Sequence, residues 1–128
     1  MNHLSMAVVI RSGTVLVQER YRKSKGMVFE FPGGSIDSEE SGEQAALREL
    51  MEETGLTNLT VKGSHTLTNQ YGGEIHYVVL EQSILEEPIA TEEYRKQIFH
   101  WLEPQEIPLQ DFYKADIQFI ENELWKYV

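Results

Sequence analysis

The chain has 128 residues, 41% hydrophobic and 25% charged, enough for one domain with a real core, and residues 1–128 are read as that single domain. The 21 acidic side chains against 11 basic ones leave a formal charge of −10, which argues against a polyanion-binding surface for nucleic acid polymers, because neutralising their phosphates needs clustered Lys and Arg. No cysteine is present, which removes a disulfide scaffold, a thiolate zinc site and a cysteine nucleophile together.

Leu4–Arg11 and Thr14–Gln18 are short runs rich in β-branched residues on either side of Ser12-Gly13, and predict a hairpin. Arg20, Arg22, Lys23 and Lys25 follow, read either as an exposed basic loop or as a place where substrate phosphate is captured. Met27–Phe31 is a third strand, stopped by Pro32-Gly33-Gly34. Ser41–Thr54 is built from helix formers and ends at Gly55, the pattern of a helix with a C-terminal glycine cap. Leu59–Thr68 and Glu74–Glu81 predict a strand pair around Gly72-Gly73; Gln97–Leu102 predicts a further strand, and Asp111–Tyr127 a closing amphipathic helix. Strands interrupted by one helix and closed by another predict an α+β fold, a sheet–helix sandwich. The longest apolar run, near Met6–Ile10, is far short of the ~20 residues that span a bilayer, and no leader with a cleavage site opens the chain. A cytoplasmic protein without membrane contact is expected.

The chemistry concentrates in Ser41–Thr54. With Glu49 at zero on a wheel of about 100° per residue, Glu53 falls at roughly 40° and Glu52 at roughly −60°, so three carboxylates share one face. Leu47, Leu50, Met51 and Thr54 fall on the opposite side, and Ala45 and Ala46 flank the acids. Like charges at i,i+4 oppose a bare helix. Either the face is solvated, or it holds a hard divalent cation, as Mg²⁺ is held by carboxylates, waters and substrate phosphates. An acidic protein that handles phosphates needs such a metal, and the preceding Gly33-Gly34 allows close backbone approach.

Gly34-x5-Glu40-x7-Arg48-Glu49-Leu50-x-Glu52-Glu53-x-Gly55-Leu56 resembles the complete signature of the Nudix hydrolases. Seven fixed residues at roughly 7% frequency each would match a given start about once in 10⁸. Val15–Arg20 and Phe29–Gly34 also resemble the flanking family pattern; Glu39 departs from it, standing where many members have Gly. The resemblance implies an αβα sandwich with a mixed β-sheet between helices. It implies hydrolysis of a nucleoside diphosphate linked to another group, with Mg²⁺ or Mn²⁺. It makes Glu49, Glu52, Glu53 and the Gly33 carbonyl metal ligands, and Glu49 or Glu53 the general base. Arg48 would orient the carboxylates by ion pairing, and Glu40 would contribute indirectly or through water.

Outside the signature, Arg20 is similar in position to a family residue that touches substrate, and Glu92 or Glu93 could supply a late metal-binding acid. His3, His65, His76 and His100 show no metal spacing and are read as structural. Tyr71, Tyr77, Trp101, Phe112 and Tyr113 are either core or base-stacking. Trp101 resembles the family's late-strand tryptophan, and Asp116, fifteen residues on, falls where MutT-type enzymes put an Asn or Asp that reads a purine edge. The expected activity is that of a MutT-type nucleoside triphosphate pyrophosphohydrolase, acting on small nucleotides as a monomer or homodimer. The alternatives are a dinucleoside polyphosphate or ADP-ribose hydrolase, the former resting on Tyr71, and a non-catalytic nucleotide-sensing module.

Overall fold

The computed structural model describes residues 3–69, 72–91 and 96–128. The strand Leu4–Arg11 (β1) sends successive side chains to opposite sides of a sheet. Ala7 and Val9 join one apolar cluster with Ala46, Leu50 and Leu56; Val8 and Ile10 join a second with Phe119, Ile120 and Leu124. Burial on both faces is why this stretch is a continuous apolar run without alternation.

The other strands are β2 (Thr14–Arg22), β3 (Gly26–Glu30), β4 (Gly33–Ser35), β5 (Leu59–Thr68), β6 (Glu74–Gln82) and β7 (Ile98–Leu102). The sheet runs β3-β2-β1-β6-β5, with β4 paired to β1 and β7 to β2. β1 and β6 are parallel, from Leu4↔Ile75 to Ile10↔Glu81, and the other pairings are antiparallel, so the sheet is mixed. Helix α1 (Gly42–Thr54) covers one face and α2 (Lys114–Asn122) the other, which is the expected α+β sandwich.

Two strand junctions shape the site. β1 and β2 pair only at Ile10↔Val15 and Arg11↔Thr14, around a turn with Ser12 and Gly13 both at positive φ (48° and 79°). Beyond that turn the strands part. β2 takes β3 and β7 as neighbours, and the first half of β1 takes β4.

Three expectations need correction. β2 continues to Arg22, so Arg20 and Arg22 belong to a strand paired with β3 and not to a basic loop. The Pro32-Gly33-Gly34 stretch does not merely end a strand, because Gly33–Ser35 pairs with Leu4–Met6. The closing helix is shorter: α2 starts only after Tyr113, whose backbone is extended at φ −71° and ψ 155°, and breaks at Glu123, leaving short 3-10 turns at Leu109–Asp111 and Leu124–Lys126. The extended segment is held by Phe112, which packs against Phe29 and Phe31. Among the described residues, no helix is long and apolar enough to cross a membrane.

Candidate active site

Local sequence anchors α1 at both ends. Ser41 accepts from the Gln44 backbone N–H at 3.1 Å while the Gln44 side chain accepts from the Ser41 N–H at 2.8 Å, a capping box. Gly55 closes the helix at φ +80°, and its N–H donates to the Met51 carbonyl. The buried residues of α1 are Ala45, Ala46, Leu50, Glu53 and Thr54. This corrects the expected division of faces. Met51 points outward, 46% exposed, and Glu53 belongs to the packed side, 3% exposed. The two alanines let α1 pack closely on the sheet, and Glu53 is drawn in with them, Glu49 partly so, while Glu52 stays exposed.

Strand β4 meets those glutamates through its glycines. The Gly33 N–H donates to Glu53 Oε2 at 2.9 Å. A Cβ on Gly34 would lie 2.6–2.8 Å from the carboxylate atoms of Glu49, so only glycine leaves that carboxylate its place. Arg48 lies at the centre of the remaining acids. Its Nε and Nη2 donate to the two oxygens of Glu40 at 2.8 and 3.0 Å, its Nη1 to Glu49 at 3.0 Å, and Nη1 lies 3.3 Å from Glu52. Nη2 also donates to the Ser35 carbonyl on β4 at 3.1 Å. The Arg48 guanidinium holds Glu40 below the usual carboxylate range, helped by the Asp37 N–H, and Glu40 in turn raises Arg48.

Among the described residues, no three acids or histidines converge into a finished cation cage. The donor chemistry nevertheless fits a hard cation. Glu49, Glu52 and Glu53 offer only oxygen, and Glu49 and Glu53 reach β4 at Gly34 and Gly33. Mg²⁺ retains several waters and takes few protein ligands, so a small set of carboxylates is compatible with it. The segment before Glu92 is tied to this end of α1: the Ile89 N–H donates to the Thr54 carbonyl, and Thr91 Oγ1 to the Glu52 carbonyl, at 2.9 and 2.8 Å. Glu92, Glu93 and Tyr71 lie outside the described residues.

Gly33 and Gly34 also line a cavity of about 510 Å³ between the parted strands and the start of α2. Leu4, Met6, Phe31 and Ile75 supply apolar wall, and Arg22, Glu30, Asn69 and Asp116 supply polar groups. Asp116 is thus brought to the same cavity as Gly33. It is 5% exposed, and Tyr77 Oη donates to its Oδ1 at 2.5 Å. Burial pushes the Asp116 carboxyl up to about 6; the Tyr77 hydrogen bond and the Tyr113 backbone N–H restrain it, and the charge of Glu30 adds to it.

Arg20 is not among the residues lining the cavity; its Nη1 lies 3.4 Å from buried Glu30. Arg22 lines it instead, with bonds of 2.9–3.2 Å to both Glu30 oxygens. Sequence reasoning missed Glu30 as a site residue and favoured Arg20 over Arg22 within the basic cluster. The signal was present: a lone acid between Phe29 and Phe31, with alternate arginines at Arg20 and Arg22, marks a buried charge with its partners on the neighbouring strand. Tyr77 and Phe112 are core, whereas Tyr113 is exposed on the cavity rim beneath Lys25, and Trp101 carries Arg11 over its ring. The histidines lie apart: His65 bonds Tyr127, His76 meets Thr66, His100 meets Glu19 and His3 accepts from the Glu74 N–H.

A family model described as the NUDIX domain matches residues 1–122. An oxidized purine nucleoside triphosphate hydrolase of Danio rerio is 29% identical over 118 residues, covering 89% of this chain and 74% of that protein. An ADP-ribose pyrophosphatase of Bacillus subtilis is 31% identical over 116 residues, 87% of this chain, but the match spans only 60% of that longer protein. Among solved structures, a MutT NUDIX hydrolase from Burkholderia pseudomallei superposes with a TM-score of 0.71 at 25% identity, covering 95% of this chain and 97% of that one.

Proposed function

The chain belongs to the Nudix family and is a hydrolase of phosphoric anhydrides; from that premise we propose that it cleaves a nucleoside triphosphate to the monophosphate and pyrophosphate, with Mg²⁺ or Mn²⁺. The observation that carries this reading is the shared boundary at β4. Gly33 and Gly34 line the cavity and at the same time abut Glu53 and Glu49, so a nucleotide seated there brings its phosphates to the carboxylate helix.

In this reading Glu49, Glu52 and Glu53, with the Gly33 carbonyl, would hold the cation. Bound there, it supplies a Lewis acid for the phosphoryl oxygens and acidifies the attacking water. One of Glu49 and Glu53 takes the proton of that water as its oxygen adds to phosphorus and the P–O bond to pyrophosphate breaks. Arg48 keeps Glu49 and Glu52 turned to one side while neutralising Glu40. Arg22 lines the cavity and pairs with Glu30, and Arg20 also holds Glu30 in place. Asp116 reads the base edge. The same proposal takes the protein to act in the cytoplasm, as a monomer or homodimer, on free nucleotides.

A second reading, hydrolysis of an ADP-ribose-type substrate, is favoured by the Bacillus subtilis relative. Turnover of ATP, GTP, CTP, UTP, ADP-ribose and diadenosine tetraphosphate, compared at equal Mg²⁺, tests the two. A kcat/KM at least ~10-fold higher for a triphosphate supports the first, and the reverse order overturns it.

A further inference from the structure

Tyr77 is a fully buried phenol in a place where packing alone asks only for phenylalanine. Its ring lies face to face with Phe119, centroids 4.6 Å apart and planes 10° apart, and edge-on to Phe31 at 6.3 Å. Those two rings fix the plane of Tyr77 and therefore the line along which its hydroxyl points. That line ends on Asp116 Oδ1 at 2.5 Å. Asp116 sits in the first turn of α2, 5% exposed, on the wall of the 510 Å³ cavity.

We infer that Tyr77 is a positioning residue for nucleobase selection: its hydroxyl fixes which oxygen of Asp116 faces the cavity. The inference rests on the reading that Asp116 contacts the base. Buried beside a carboxyl group, the phenol keeps its proton, and it donates that proton to Oδ1. In this arrangement Oδ1 is an acceptor occupied by Tyr77. Any proton carried by Asp116 resides on Oδ2, which donates when the group is neutral and accepts when it is ionised. Without the Tyr77 hydroxyl, the Tyr113 backbone N–H is the remaining hydrogen bond to the carboxyl, which is then freer to turn. Discrimination between base edges depends on a fixed donor or acceptor at one place, because a group that can rotate satisfies several edges equally. The other groups near this carboxyl are the Tyr113 backbone N–H, Glu30 with its partner Arg22, and Lys114 on the same wall.

The test measures dissociation constants of AMP, GMP, CMP and UMP, which contain no anhydride to cleave, for the wild type and five variants. Asp116→Ala is expected to flatten the base preference. Tyr77→Phe is expected to narrow the ratio of weakest to tightest binding by at least ~5-fold, and to add nothing in an Asp116→Ala background. Phe119→Leu removes stacking but leaves the hydroxyl; it is expected to lower Tm and keep the base ratio above that of Tyr77→Phe. Asp116→Asn, which leaves Tyr77 untouched, places an obligatory Nδ2 donor toward the cavity and is expected to change the rank order of the four. Should Tyr77→Phe fail to fold, an unchanged rank order in Asp116→Asn overturns the inference. If Asp116→Ala flattens the preference and Tyr77→Phe leaves it intact, or narrows it equally without Asp116, the positioning role falls and base reading stands. If Asp116→Ala changes nothing, or the wild type binds all four alike, base reading falls and the inference with it.

Discussion

The Gly33 N–H donates to Glu53 Oε2 across 2.9 Å, joining a buried helix carboxylate to the strand that forms the cavity floor. A carboxylate 3% exposed is costly to leave ionised without compensating interactions, and this backbone donor provides one. The bond also sets the distance between α1 and β4. In the proposed mechanism, catalytic chemistry and helix docking share this atom pair.

Glu53→Gln retains the size of the side chain and an oxygen that can accept from Gly33, but removes the charge. We expect kcat to fall at least ~10²-fold, the scale of one lost metal or general-base contact. Tm measured in EDTA should stay level or rise, because a like charge near Glu49 is gone. Near-normal kcat would place the chemistry elsewhere.

The glycines separate function from stability. Gly34→Ala puts a methyl group against the Glu49 carboxylate, and a loss of at least ~10-fold in kcat/KM is expected as that carboxylate is displaced. Gly55→Ala meets nothing within 4 Å but forces alanine to φ +80°. It should cost about 1 kcal/mol of stability and leave kcat unchanged. Equal kinetic effects from the two variants would contradict the assignment of Gly34.

Glu39 occupies the left-handed region at φ +68° and is exposed. The departure from the family pattern noted at this position therefore has a conformational cost. Glu39→Gly should raise stability by about 0.5–1 kcal/mol with unchanged kcat, read by urea unfolding and steady-state rates. A lowered midpoint would show that the Glu39 side chain compensates for its backbone.

What was legible in the sequence was whatever local chemistry decides. The capped helix from Ser41 to Gly55, the Ser12-Gly13 hairpin and the pairing of Leu59–Thr68 with the strand after it all follow from turn and cap residues. What escaped was decided by neighbours distant in sequence. A helix wheel gives angles between side chains but not which side meets the sheet, so Glu53 was assigned to an acidic face and Met51 to an apolar one, against the burial seen. The arginines of β2 were indistinguishable from a basic loop until Glu30 was placed opposite them by β3. Asp116 was legible as a position, but its phenol partner lies thirty-nine residues away on β6.

Asp116 also carries a pH signature. Its carboxyl is raised by burial from 3.8 to about 6, so the folded state binds its proton more tightly than the unfolded chain does. That contribution favours folding at low pH and is lost as pH rises from about 4 to about 6. Asp116→Asn removes the loss. Relative to the wild type, the variant should gain about 2–3 kcal/mol between pH 4 and pH 7 in urea unfolding. A constant difference across that range would mean that the carboxyl is ordinary.

The most direct test of the central claim is product analysis by ³¹P NMR, with ATP, GTP, CTP and UTP as substrates, in excess Mg²⁺ and in EDTA. The account predicts nucleoside monophosphate and pyrophosphate in equal amounts with Mg²⁺, and no turnover with the chelator. Release of nucleoside diphosphate with orthophosphate, or undiminished turnover in EDTA, would contradict it.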